Sequence, residues 1–375
     1  MPSWAYSEQN LAEIRRNYNA STAELEKHLI EGQWIDEEPD SSILLTKHRY
    51  LAEEWIVAWL NAHPSQGIEG IRKAITTLAP SETPQCVTLE DDTFLVATPA
   101  LIPSIFIIAK SDGRFKSVWS ITDPQEVKGK AADMLSAWQA GNAVHGGRGP
   151  YSAGGGSMGP LFPELGILPA DKNGHARFYI DATYAQSAGG TQGKQITLWA
   201  WDGTNAHLQF ARNYLIGIDQ DAGTRVEGNL LKVQQKKSFR TFFMSASSPE
   251  RQVDWIVQIE PEGMKEVGEE VVVPELDAVD ELFYRLIKGT PASDIASPAA
   301  IKVAEKIIQN VRAGDSEEEW KKYSSLGMIM DWAVTHDAGK KSLCLPLDEG
   351  TYQITFGGKR YFIASLVKTN GCKSQ

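Results

Sequence analysis

Residues 176–202 read ARFYIDATYA, QSAGGTQGK and QITLWAWD, two runs of alternating side chains around a Gly-rich connection. In the first run Phe178 and Ile180 alternate with more polar neighbours, and the second run alternates in the same way. A period of two is typical of a β-strand whose faces have different surroundings, and a Gly-rich connection is typical of a hairpin. The stretch therefore predicts two antiparallel strands, at 176–185 and 195–202.

One face of this predicted hairpin is a candidate binding site. If the connection is centred near Gly190, Asp181 lies opposite Trp199 and Tyr179 lies opposite Trp201. Flat aromatic rings beside hydrogen-bonding groups suit a small molecule, a glycan or a protein partner. Alternatively, helices or a second sheet cover this face and the tryptophans are ordinary core. The predicted ligand-binding residues are Arg177, Tyr179, Asp181, Trp199 and Trp201.

The strand pattern continues in both directions and predicts an antiparallel β domain at 87–273. Within 253–260, large apolar residues alternate with polar ones, as in a strand with one buried face. A Gly-rich loop at 141–159 interrupts the domain, with a candidate helix at 133–139 before it. The other predicted strands are 93–98, 104–110, 114–121, 208–216, 225–234, 239–245 and 264–273.

Helical patterns flank the β domain. A strong amphipathic stripe predicts a helix at 276–287, a second helix begins near Pro298, and a third is expected at 317–334. The fold class is therefore α+β: an antiparallel β domain, sandwich or barrel-like, flanked by N-terminal and C-terminal helices and closed by a C-terminal β-hairpin. The predicted regions are N-terminal helices at 1–80, the β domain at 87–273, helices at 276–335 and the hairpin at 343–371.

The turn Gly357-Gly358 sets the predicted register of the C-terminal hairpin, between strands at 351–356 and 359–366. Ile354 is then expected opposite Tyr361, and Tyr352 opposite Ile363.

The cysteines allow one crosslink. Continued outwards, the same register places Cys344 opposite residue 371, next to Cys372. A disulfide between them would be geometrically easy and would indicate an oxidising compartment, and two free thiols are the alternative. The third cysteine is Cys86, and without a CxxC spacing a thiolate zinc site is not expected.

Charge and hydropathy argue against two classes of partner. The 37 basic and 48 acidic residues give a net charge of −11, which disfavours nucleic acid and anionic lipid surfaces. The longest apolar stretch, 100–109, is far shorter than the ~20 residues of a spanning helix, so membrane insertion is not expected. The N-terminus shows no export signal, and a periplasmic or secreted location would require that Met1 replaces a removed signal peptide.

Two arrangements would make the protein a hydrolase instead. A formal G-x-S-x-G match places Ser157 twelve residues after His145, but prolines rather than a helix follow it, and no familiar triad order results. A second arrangement uses the carboxylates of Asp181 and Asp202 for glycoside cleavage.

No motif predicts a cofactor or a metal. Residues 188–195 lack the first Gly and the final Ser or Thr of a phosphate loop, and they join two strands. The acidic turns at 171–174 and 219–223 lack the Gly and Glu positions of an EF-hand. The sequence thus favours a non-enzymatic ligand-binding or protein-interaction module that uses the aromatic sheet face, with the hydrolase as the alternative.

Overall fold

Helices occupy the two flanks of the described chain and strands lie between and after them. The computed structural model describes residues 8–30, 39–80, 84–98, 104–121, 163–186, 191–217, 223–237, 239–241, 251–312, 335–337, 342–347, 350–358 and 361–370. The helices within these ranges are α1 (Glu8–Ile30), α2 (Pro39–Ala62), α3 (Gly67–Leu78), α4 (Pro274–Ile287) and α5 (Pro298–Arg312). None of these described helices combines the length and apolarity needed to cross a membrane.

The described strands form four antiparallel sheets, each of four strands that follow one another in chain order. Sheet I contains β1 (Gln85–Glu90), β2 (Thr93–Ala97), β3 (Ile105–Ser111) and β4 (Arg114–Ser120). Sheet II contains β5 (Glu164–Leu168), β6 (Arg177–Gln186), β7 (Thr191–Trp201) and β8 (Ala206–Gly217). Sheet III contains β9 (Thr224–Glu227), β10 (Leu230–Lys237), β11 (Arg251–Glu260) and β12 (Gly263–Val271). Sheet IV contains β13 (Thr335–Asp337), β14 (Ser342–Leu347), β15 (Gly350–Gly357) and β16 (Phe362–Thr369).

This architecture confirms the predicted α+β class with antiparallel sheets and a C-terminal hairpin. Sheet II lies between two neighbours. One of its faces shares a core with sheet I that includes Ile107 and Phe178. Its other face shares a core with sheet III that includes Leu198 and Trp255.

The N-terminal helices cover the outer face of sheet I. The buried Trp55 Nε1 donates to the carbonyl of Ala74 at 3.0 Å and joins α2 to α3. The Asn61 side chain donates to the carbonyl of Phe115 at 2.8 Å and accepts from its N–H at 2.9 Å. These bonds satisfy buried polar groups where helix and sheet meet, so they fix α2 on β4.

Sheet IV packs with α4 and α5 around a separate core that includes Phe283 and Ile354. A buried carboxylate ties this unit to the chain that follows β10. Asp280 on α4 accepts hydrogen bonds from the N–H groups of Arg240 and Thr241 and from the hydroxyl of Thr241.

Several predicted strands need correction. The predicted strand 225–234 is two strands, because the chain turns at Gly228 with a φ of +63°. Strands β1 and β5 were not predicted, and residues 239–241 are not in a strand. The rest of the predicted strand 239–245, the Gly-rich loop 141–159 and the predicted helices 133–139 and 317–334 lie outside the described residues.

The predicted register of the C-terminal hairpin is wrong. Ile354 pairs with Leu366 instead of Tyr361, and Tyr352 pairs with Lys368 instead of Ile363. The turn is longer than the two glycines, since Tyr361 belongs to it with a φ of +57°, and a β-bulge follows. A longer turn moves every later pair along the strand.

The predicted position of Cys344 is also wrong. It lies on β14 opposite Gln353, because the chain reverses between Leu347 and Gly350. Cys344 is nonetheless disulfide-bonded, and Cys86 is a buried free thiol. The remaining cysteine, Cys372, lies outside the described residues.

Candidate functional site

The five predicted site residues do not share one face. Phe178 pairs with Trp199 and Tyr179 pairs with Leu198, whereas the prediction had Tyr179 opposite Trp201 and Asp181 opposite Trp199. The hairpin is centred one residue earlier than predicted, and a β-bulge near Thr183 shifts the register further. An odd shift exchanges the two faces of a strand, so the tryptophans lie on the face opposite Tyr179 and Asp181.

The two tryptophans belong to the core between sheets I and II. The ring of Trp199 is fully buried, lies parallel to Phe178 at 6.3 Å and meets Trp119 edge-on at 5.1 Å. Its Nε1 donates to the hydroxyl of Thr197 at 2.9 Å. A ring enclosed in this way presents no surface to a ligand, so the predicted aromatic platform is absent.

Arg177 lies on the other face, toward sheet III, where it is also buried. Its guanidinium donates to the carbonyls of Glu260 at 2.6 Å and Pro261 at 2.7 Å. These bonds satisfy two carbonyls at the turn between β11 and β12, so Arg177 joins sheet II to sheet III.

A buried polar cluster surrounds Asp181 between these two sheets. Its Oδ2 accepts hydrogen bonds from Tyr214 at 2.5 Å, Thr224 at 2.6 Å and the Lys194 ammonium at 3.2 Å. Among the described residues its Oδ1 has no hydrogen-bond partner, although the Asp181 side chain is 0% exposed. We call the following residues the Asp181 cluster: Glu164, Tyr179, Asp181, Lys194, Tyr214 and Thr224.

A second carboxylate faces Asp181 from β5. Glu164 is directly opposite Asp181 in the pairing of β5 with β6, and the Tyr179 hydroxyl donates to its Oε1 at 3.0 Å. Gly166 makes room for Tyr179, because a Cβ at Gly166 would lie 2.2 Å from the tyrosine ring. The cluster therefore has two acidic side chains on neighbouring strands and one ammonium group.

Burial sets the protonation of this cluster. It raises the pKa of Glu164, and a hydrogen bond from Tyr179 opposes the rise only in part. It also raises the pKa of Tyr179 and Tyr214, which the carboxylates beside them raise further. Both phenols therefore stay neutral and donate hydrogen bonds at physiological pH.

Asp202, the other predicted catalytic carboxylate, lies far from this cluster in a partly exposed turn. Asp181 pairs with Ile196, and Asp202 comes six residues after Ile196, just beyond the end of β7, about 20 Å along the strand direction. Paired carboxylates of glycosidases lie only about 5–9.5 Å apart. Hydrogen bonds from the Asn205 N–H and His207 lower the pKa of Asp202 to about 2, which is typical of a carboxylate that stabilises a turn.

The structure does not describe the candidate catalytic pair of the serine hydrolase. His145 and Ser157 lie outside the described residues. Across the part of the chain that the structure describes, no three His, Cys, Asp or Glu side chains come together as a metal site would require.

Four members of the Asp181 cluster were missed by sequence reasoning. Glu164 begins a short strand that was not predicted. The side chains of Lys194, Tyr214 and Thr224 come close to Asp181 only through strand pairing and sheet packing. An alternation of Leu165 with Ile167 was a weak signal for β5.

Comparison with known proteins leaves the family open. No family model matches the chain, and no curated protein matches it. Among solved structures, it is similar to the α-L-arabinofuranosidase Arb93A from Fusarium graminearum with an iminosugar inhibitor and to the GH93 α-L-arabinofuranosidase of the same organism with arabinobiose. Each comparison has a TM-score of 0.27 and 14% identity and covers 50% of this chain and 47% of that chain. The chain thus spans about half the length of these enzymes, and a likeness of this size carries no conclusion about fold or activity.

Proposed function

We propose that this chain is a non-enzymatic small-molecule-binding protein whose ligand contacts the Asp181 cluster. The observation that supports the proposal is the free Oδ1 of the buried Asp181. A buried acceptor without a donor costs about 1–3 kcal/mol, and more when it is charged. A ligand that donates an N–H or O–H to Oδ1 would recover this free energy.

Lys194 and Glu164 are the least buried members of the cluster. The Lys194 side chain is 11% exposed and Glu164 is partly exposed, whereas Asp181 is fully buried. A ligand that approaches from solvent therefore meets the ammonium group and one carboxylate before it meets Oδ1.

The test uses Asp181→Asn. The three donors at Oδ2 select the amide oxygen there, so the variant presents an N–H₂ donor where the parent has its free acceptor. We expect a panel of sugars, polyols, amines and amino acids to contain a class that raises the melting temperature of the parent but not that of Asp181→Asn.

Asp254→Asn is the matched control. Asp254 is nearly as buried, but both of its oxygens accept from Arg225, so the parent has no free acceptor there. Asp254→Asn should keep the ligand-induced shift. The proposal is wrong if no class stabilises the parent, or if Asp181→Asn keeps the shift.

One observation favours a carboxylate hydrolase as the second candidate. Directly opposite residues on antiparallel strands have Cβ atoms about 4.5–5.5 Å apart, which allows their carboxyl groups to adopt the separation of about 5–5.5 Å found in retaining glycosidases. Glu164 and Asp181 are such a pair, and the raised pKa of Glu164 suits a general acid.

Hydrolysis of 4-nitrophenyl glycosides tests this second candidate. Turnover should occur in the parent, be lost in Glu164→Gln and remain in Glu227→Gln, which alters an exposed glutamate of sheet III. Absence of turnover across a panel of pyranosides and furanosides would reject it.

A further inference from the structure

Asp181 and Lys194 leave unused hydrogen-bonding capacity side by side. Resting on the proposed function, we infer that the Asp181 cluster recognises a vicinal diol, as found in polyols and saccharides. The inference follows from which donors and acceptors of the cluster already have partners.

Within the described part of the chain, the unused groups are one acceptor and two donors. Asp181 Oδ1 accepts no hydrogen bond, while Oδ2 of the same carboxylate accepts three. The Lys194 ammonium has three N–H groups, of which one donates to Oδ2 at 3.2 Å. Because both oxygens belong to one carboxylate, the free acceptor and the free donors lie only a few ångströms apart.

Two hydroxyls on adjacent carbons complement this arrangement. A hydroxyl both donates and accepts, so one can donate to Oδ1 while its neighbour accepts from Lys194. An ammonium ligand has no acceptor for Lys194, and a carboxylate ligand has no donor for Oδ1. A single hydroxyl satisfies the two sites less well because one oxygen must serve both.

The charges of the cluster also favour a neutral ligand. Asp181 and Lys194 form an ion pair, so the cluster carries no net charge while Glu164, whose pKa is raised by burial, is protonated. Tyr179 and Tyr214 contribute neutral hydroxyls that already donate to Glu164 and Asp181. A charged ligand would then leave a net charge buried between two sheets, which is unfavourable.

Three cyclohexanols of matched shape test the inference by ligand-observed NMR titration of the full chain. The probes are cis-1,2-cyclohexanediol, cis-1,3-cyclohexanediol and cyclohexanol. We expect the 1,2-diol to bind about tenfold more tightly than the other two, the effect of about one well-placed hydrogen bond.

Lys194→Met identifies the donor. Methionine keeps a stem of similar length without N–H groups, so the preference for the 1,2-diol should fall to within about twofold. Lys232→Met is the matched control, because Lys232 is similarly enclosed but its ammonium contacts Glu227 and Glu270. If a thermal melt shows that Lys194→Met is unfolded, the relative affinities of the three probes for the parent still test the inference.

Three outcomes separate the inference from the proposed function. Equal affinity for the three probes overturns the inference and leaves ligand binding intact. If no diol binds but another class of small molecule binds the parent and not Asp181→Asn, the inference is likewise overturned and ligand binding is retained. If no class of small molecule binds the parent, the proposed function and the inference fail together.

Discussion

The two faces of sheet II differ in chemistry although the same strands form both. Toward sheet I, the rings of Phe178, Trp119 and Trp199 pack against one another. Toward sheet III, the same strands carry Asp181 and Lys194 in a hydrogen-bonded cluster. Alternation along the strands separates two sets of side chains, and the layer that covers each set decides whether it becomes apolar core or a polar cluster.

The largest expected effect tests the face of sheet II that packs against sheet I. Trp199→Ala should lower the free energy of unfolding by about 3–5 kcal/mol, because it leaves a cavity between two sheets. Urea denaturation measures this, with Tyr50→Ala as the control, since Tyr50 is 65% exposed. A loss below about 1 kcal/mol would show that Trp199 is not core.

A smaller effect tests the polar face. Gly166→Ala places a methyl group 2.2 Å from the Tyr179 ring, so it should displace Tyr179 from Glu164 and destabilise the fold by about 1–3 kcal/mol. Gly263→Ala is the matched control, because a Cβ there meets nothing within 4 Å. Equal melting temperatures for the two variants would contradict the close contact.

The pH dependence of the free energy of unfolding tests the raised pKa of Glu164. Because burial raises the pKa of Glu164 above 4.5, its stabilisation is complete below pH 4.5 and is lost as the pH rises through the raised pKa. Glu164→Gln stays neutral and should gain stability relative to the parent with rising pH.

Glu227→Gln provides a control of opposite sign. Hydrogen bonds from Arg225 and Lys232 lower the pKa of Glu227, so this variant should lose stability relative to the parent as the pH rises toward neutral. Urea denaturation at pH values from 4 to 8 measures both trends. If the stability of both variants relative to the parent changed in the same direction with pH, the raised pKa of Glu164 would be refuted.

The smallest effect concerns fluorescence. Replacing both tryptophans in a Trp199→Phe/Trp201→Phe variant should remove only emission that acrylamide does not quench, because both rings are buried. Loss of a readily quenched component would mean that the two rings are exposed to solvent and would support the predicted aromatic binding face.

Local patterns were sufficient for much of the architecture. The alternation in 253–260 predicted β11, and the apolar stripe in 276–287 predicted α4, because each pattern repeats with the period of its own element. The fold class follows from the order of such elements along the chain.

The register of paired strands could not be predicted from local patterns. Alternating strands keep their pattern under many shifts, so the hairpins around Gly190 and Gly358 were each assigned a wrong register. The bulges and turns that set the register depend on backbone conformation, which side-chain alternation does not report.

The α+β class, the amphipathic helices and the separation of side chains on β6 and β7 into two sets could be predicted from the amino-acid sequence. The burial of Trp199 and the contacts of Asp181 with Glu164, Lys194 and Tyr214 became visible only in the folded chain. Periodicity is a local property of the chain, whereas burial and hydrogen bonding at Asp181 depend on strands and sheets that are distant in sequence.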